Sequence, residues 1–212
     1  MRLWQLGSGL AAAATLFAAP VTAQGQPLPG NTVSCVYDYM SAEDREIALL
    51  LIAREIVDGG RFGKASQNVQ AVDRLIEEAH QKCLARFNWS IARSETATGF
   101  ALTSILAEAL GQAIESSGFP LGPLGDYYRE NRLALTSKRD LTSADKQQFY
   151  ARLKLSGWDK AREAELGLAV LYVETLMLKD RALRQFTAAS GTGRQLIRSP
   201  KAPARKAGRG KP

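Results

Sequence analysis

The chain predicts an all-α fold, a single-domain bundle of five or six helices, and three observations carry that prediction. Apolar residues recur at helical spacing, most cleanly at Val69, Val72, Ile76, Ala79, Cys83 and Phe87. Helix start and stop chemistry punctuates the chain, with Ser41, Pro123 and Thr142 at starts and Gly118-Phe119-Pro120 at a stop. No alternating apolar run is flanked by hairpin turn residues, and no solenoid-type repeat is present.

Residues 1–23 read as an export signal. Arg2 supplies a short positive start, residues 3–19 are apolar apart from Gln5 and small polar residues, and Val21-Thr22-Ala23 is a small-x-small cleavage site. The expected location is therefore periplasmic or secreted. Residues 24–34, with Pro27, Pro29 and Gly30, read as a linker, and the helical domain is expected over 35–187. Ser41 and Asp44 have capping-box spacing and open a helix carrying Ile47, Leu50, Leu51, Ile52 and Val57. That run is apolar nearly all round, which predicts a central core helix. Asp58-Gly59-Gly60 ends it.

The second helix holds the stripe quoted above, with Cys83 on its buried face. The third runs from about 94 to 117 with Leu102, Ile105, Leu106, Leu110 and Ile114 inward. Its Gly99, Ala101, Ala107, Ala109 and Gly111 are small enough for a neighbouring helix to approach closely. Pro123 suits the first turn of a fourth helix bearing Tyr127, Tyr128 and Leu135. Thr142 with Asp145 opens a fifth, through Phe149 and Leu153, interrupted at Ser156-Gly157. The last, from about 159 to 187, includes thirteen residues, 166–178, whose only charge is Glu174. Thirteen is too short to cross a bilayer, so this reads as a core helix and no transmembrane span is expected in the mature chain.

Cys35 and Cys83 are the only cysteines, and in an exported chain they are expected to form a disulfide. Cys35 also follows Val33-Ser34, a partial lipobox, but Thr32 stands where an aliphatic residue is needed and the apolar run is far upstream. The formal charge of +7 is unevenly spread. Residues 188–212 hold Arg194, Arg198, Lys201, Arg205, Lys206, Arg209 and Lys211 with no acid, whereas residues 24–187 hold 20 basic and 21 acidic side chains. The tail is expected to be disordered. By composition it would suit nucleic acid, but export removes that partner. An anionic envelope surface or an acidic protein replaces it, and the helical body is left to meet a protein partner.

Candidate chemistry is sparse, and neither a cofactor nor a metal is expected. Glu77-x-x-His80 has the spacing of carboxylate-bridged di-metal bundles, but His80 is the only histidine, which points to a boundary residue beside the apolar stripe. Ser143-Ala144-Asp145-Lys146 matches the serine-x-x-lysine pattern and resembles that of penicillin-binding proteins and serine β-lactamases. Their second serine motif is missing, so the segment reads as a helix cap. Glu174 is expected to face solvent or to pair with a base such as Lys154 or Arg162. Trp89, Tyr127, Tyr128, Trp158 and Tyr172 are expected as packing at the edges of the core.

The stretch Ala113-Ile114-Glu115-Ser116-Ser117-Gly118-Phe119 resembles the glutamate-serine element of lysozyme-like lytic transglycosylases, which are exported and largely helical. The resemblance implies that Glu115 ends a helix and acts as general acid, then base, on a glycan, a role that needs a poorly solvated carboxyl. The family's glycine-leucine-methionine-glutamine stretch has no counterpart after Phe119. Two functions are thus expected in competition: a non-enzymatic, envelope-associated interaction module, and a peptidoglycan-cleaving enzyme using Glu115.

Overall fold

The computed structural model describes residues 30–57, 66–138 and 140–192, with side chains to 189. The segment expected to be an export signal, the expected stop at Asp58-Gly59-Gly60 and all seven tail cations lie outside the described residues. Among the described residues there are seven helices and no strand: α1 (Cys35–Tyr39), α2 (Ala42–Val57), α3 (Gln67–Phe87), α4 (Ile91–Ser116), α5 (Gly122–Thr136), α6 (Ser143–Lys154) and α7 (Glu163–Thr192). The six long helices are those the periodicity marks. The seventh, α1, is a five-residue turn that follows Ser34.

Local side-chain chemistry fixes the starts of α2, α3, α4 and α6. Ser41 Oγ accepts the Asp44 amide at 3.0 Å while Asp44 Oδ2 accepts the Ser41 amide at 3.3 Å, a reciprocal box built with Asp in place of Glu. Thr142 and Asp145 repeat the arrangement at α6. There Lys138 Nζ lies 2.6 Å from Asp145 Oδ1, and the bonds from Lys138 and Thr142 hold the Asp145 carboxyl down at about 2. Between α3 and α4 the chain turns in three residues. Asn88 takes the left-handed conformation, φ 47°, and caps α3, and the Ser90 hydroxyl accepts the Arg93 amide to open α4. α7 continues to Thr192, five residues past Thr187, through Ala188 and Ala189, whose helix propensity is high.

The helices enclose two apolar cores. One gathers α1, α2, α3 and the first part of α4 around Val36, Ile52, Val72, Ile76 and Ile105. The other gathers the end of α4 with α5, α6 and α7 around Ile114, Leu124, Phe149, Trp158 and Met177. α4 and α7 make the most extensive helix pairing in the fold and reach into both cores. Small residues permit it: Ala97, Ala101, Ala109 and Ala169 are fully or almost fully buried. α4 is long and apolar enough by length and composition to cross a membrane, and half of its most apolar 18-residue window is buried inside the fold.

The expectation that α2 is a central helix is corrected. Only Ala48, Ile52 and Glu55 are buried on it, while Leu50 is 58% and Val57 83% exposed. Among the described residues α2 packs chiefly on α3 and α4, so the fold supplies partners for one side of a helix whose middle is apolar nearly all round. The buried Glu55 receives hydrogen bonds from Ser66 at 2.6 Å and Asn68 at 3.2 Å, which tie α2 to the start of α3.

The sulfurs of Cys35 and Cys83 are at bonding distance, with Cα atoms 6.2 Å apart, and both residues are fully buried. The pair fits an oxidising, extracytoplasmic compartment. It pins α1 to α3 across 48 residues. Replacing both cysteines by serine is expected to lower the free energy of unfolding by about 4 kcal/mol, the chain-entropy figure for such a loop. Urea unfolding followed by helical circular dichroism measures this, and an unchanged midpoint would contradict it.

Candidate functional site

A polar concavity lies along the α4–α7 seam, roofed at one end by α1. It encloses about 510 Å³. From α4 it receives Glu108, Gln112 and Glu115, at spacings of four and three that stack them on one helical face. From α7 come Tyr172, Leu176 and Lys179, and from α1 comes Tyr37. Gly111 forms part of the floor. A Cβ there would meet Leu121 Cδ1 at 3.2 Å, so glycine lets Leu121 close down on the helix.

The two ends of this cleft differ in charge. At the α1 end, the Tyr37 hydroxyl donates to Glu108 Oε2 at 2.8 Å. The half-buried Lys179 ammonium sits 5.1 Å from the centre of the Phe100 ring, a cation–π placement. Burial pushes the Lys179 amine down while the nearby Glu108 charge opposes that shift. Burial likewise raises the Tyr37 hydroxyl, with Glu108 adding to the rise. At the other end stands Glu115, exposed, in the last turn of α4, where the helix dipole disfavours a carboxylate. No side chain among the described residues pairs with it. The Tyr172 hydroxyl is raised first by burial and then by the Glu115 charge.

Glu115 therefore does line a cleft, but it is exposed there, which is not the poorly solvated setting that general-acid use requires. Glu174 is elsewhere. Its Oε1 accepts the Leu141 amide at 3.1 Å and lies 3.9 Å from Lys146 Nζ, so the base beside it is Lys146 and not Lys154 or Arg162. Arg162 instead binds Glu165 at the start of α7. The Ser143 segment is the cap of α6. Of the five aromatic residues singled out from sequence, Tyr172 alone lines the cleft, whereas Trp89, Tyr127, Tyr128 and Trp158 are buried in the cores.

A second constellation was not legible as such in the sequence. His80 Nδ1 lies 3.2 Å from Glu77 Oε2, and His80 Nε2 is in close hydrogen-bond contact with Ser94 Oγ. Gln81 donates to the other Glu77 oxygen, and that bond, followed by His80, holds the Glu77 carboxyl below its ordinary value. The order carboxylate, imidazole, hydroxyl is that of a nucleophilic triad. The surroundings are not. Ser94 is only 7% exposed, and the amides beside it are spent, Arg93 N on Ser90 Oγ and Ser94 N on Ser90 O. No amide is left there to receive an oxyanion. The chain of bonds instead locks α3 to α4. No group of three or more metal-ligating side chains occurs among the described residues.

Taken together, fold and site define an all-α domain with two cores on a shared helix pair and a charged cleft along that pair. Comparison with protein-family models, curated proteins and solved structures found no match.

The His80 lock gives a measurable expectation. His80→Leu strands the Ser94 hydroxyl and is expected to cost about 1–3 kcal/mol of stability. A cycle with Ser94→Ala should return a coupling of about 0.5–3 kcal/mol between the two positions. Urea unfolding of the four proteins measures both, and additive effects would show that the residues do not interact.

Proposed function

We propose that this chain is an exported, non-enzymatic interaction module of the cell envelope. Its cationic C-terminal stretch attaches to an anionic surface, and its helical body receives a partner in the α4–α7 cleft. The segregation of charge carries this reading: all seven cations of residues 188–212 stand without an acid, beside a body of 20 basic and 21 acidic groups. Such a stretch gains roughly 1 kcal/mol per cation near an anionic surface. Without an apolar anchor the attachment is reversible and weakened by salt. The cysteine pair at bonding distance supports a location outside the cytoplasm. In the cleft, Glu115 is solvated and Lys179 is the half-buried cation, an arrangement that favours holding a ligand over donating a proton to one.

Deletion of residues 193–212, which leaves α7 complete, is expected to abolish co-sedimentation with anionic vesicles at low salt and to leave the thermal melt unchanged. Failure of the full-length chain to bind such vesicles at low salt would overturn surface attachment.

One observation favours a second reading, a glycan-cleaving enzyme: Glu115, the residue marked by the transglycosylase resemblance, lines the cleft beside Tyr172. Release of soluble muropeptides from peptidoglycan by the purified protein, lost in Glu115→Gln, would establish that reading in place of the first.

A further inference from the structure

We propose that the Glu115 end of the α4–α7 cleft is a binding site for an organic cation, an alkylammonium or alkylguanidinium group carried on an apolar stem. The inference rests on the reading of this cleft as a binding site and adds the chemistry of what it binds.

Four features converge on it. First, the cleft already holds one cation of this kind. Lys179 reaches in from α7 and lies over Phe100, next to Glu108, so an ammonium on an aliphatic stem is the chemistry this surface accommodates. Second, that internal cation serves only one of the two carboxylates. Glu108 has the Tyr37 hydroxyl at 2.8 Å and the Lys179 charge nearby, whereas Glu115 has no partner among the described residues. The two carboxylates are seven residues apart on one face, about 10 Å along the helix axis, too far for one ammonium to serve both.

Third, Glu115 stands where it is locally unfavourable, a carboxylate in the last turn of α4 with no cation to offset the dipole. An incoming cation removes that mismatch. Fourth, the wall between the two ends suits an apolar stem. Leu121, Leu176, Ala107 and Gly111 line it, and the partly buried Tyr172 ring stands near the Glu115 charge, offering an aromatic surface beside a carboxylate. With two carboxylates and one ammonium, the cleft keeps one net negative charge for its ligand. An anion or a neutral stem gains nothing from it.

The same group can arrive on a small amine or as a lysine or arginine side chain of a basic peptide. The test uses the full-length, isotope-labelled protein titrated with hexylguanidinium, with hexanol and hexanoate as neutral and anionic controls, and with a peptide of residues 194–211 as a second cation source. Amide shifts are expected at Gln112, Glu115 and Tyr172 with hexylguanidinium and not with either control. Glu115→Gln, an exposed and structurally mild change, is expected to weaken binding about tenfold, the equivalent of one charge-assisted contact. Lys179→Met, which frees Glu108, is expected to strengthen it. Tighter binding of the peptide at the same amides would assign the cation to a polypeptide, and tighter binding of hexylguanidinium to a free amine. Equal binding of hexanol, shifts confined to other surfaces, or indifference to Glu115→Gln would overturn the proposal. Any of these would leave the vesicle and muropeptide outcomes, and so the choice of module or enzyme, untouched.

Discussion

The pairing of α4 with α7 is the constraint on which the rest of this structure depends. Neither helix is a local element. α4 belongs to the α1–α3 core at its start and to the α5–α7 core at its end, and α7 carries Met177 into one core and Phe186 into the other. Two cores of modest size are each weak alone, because small domains bury too little apolar surface to offset chain entropy. A shared pair of long helices lets one core's packing support the other. Close approach makes this possible, and the buried alanines Ala97, Ala101 and Ala109 on α4 and Ala169 on α7 leave room for it, while Gly111 admits Leu121, which a Cβ there would meet at 3.2 Å.

The remaining devices secure what the seam leaves loose. The Cys35 to Cys83 link and the His80 to Ser94 contact fasten α1 to α3 and α3 to α4, while the Asp180 carboxylate gathers Arg132 and the Tyr128 hydroxyl, joining α5 to α7. Tyr128 OH lies 2.7 Å from Asp180 and is pushed well up by burial and by that contact. The cleft is a by-product of the same geometry. Two helices that touch through small residues leave a trough where larger side chains part, and this trough is lined by the charges that α4 and α7 carry on their facing edges.

What the sequence revealed and what it hid follow from the range of the interactions. Helix existence and the caps at Ser41 and Thr142 depend on neighbours within a few residues, so spacing alone exposes them, whereas the Ser90 cap lies four residues before the start expected near 94. The small residues of α4 announced a close helix contact, though not that α7 would make it. α2 departs from its pattern, because apolar spacing states what a helix can bury and not how many partners the fold provides. The cleft was only partly visible. Glu115 carries a local motif, but its companions come from afar: Tyr37 meets Glu108 across 71 positions, and Lys179 reaches the cleft from α7. His80 reads as a boundary residue, yet its partner Ser94 lies just across the Asn88 turn. Polar residues on both sides of that tight connection are the signal the sequence carries.

Hydrogen exchange of the native, oxidised protein tests the central role of the seam most directly. If α4 and α7 bind the two cores into one cooperative unit, the slowest amides will lie at 101–110 and 169–177 and will share one opening free energy, equal to that of global unfolding. Two separate values, with the first part of α4 opening together with 35–87 and its end together with 122–154, would contradict this account.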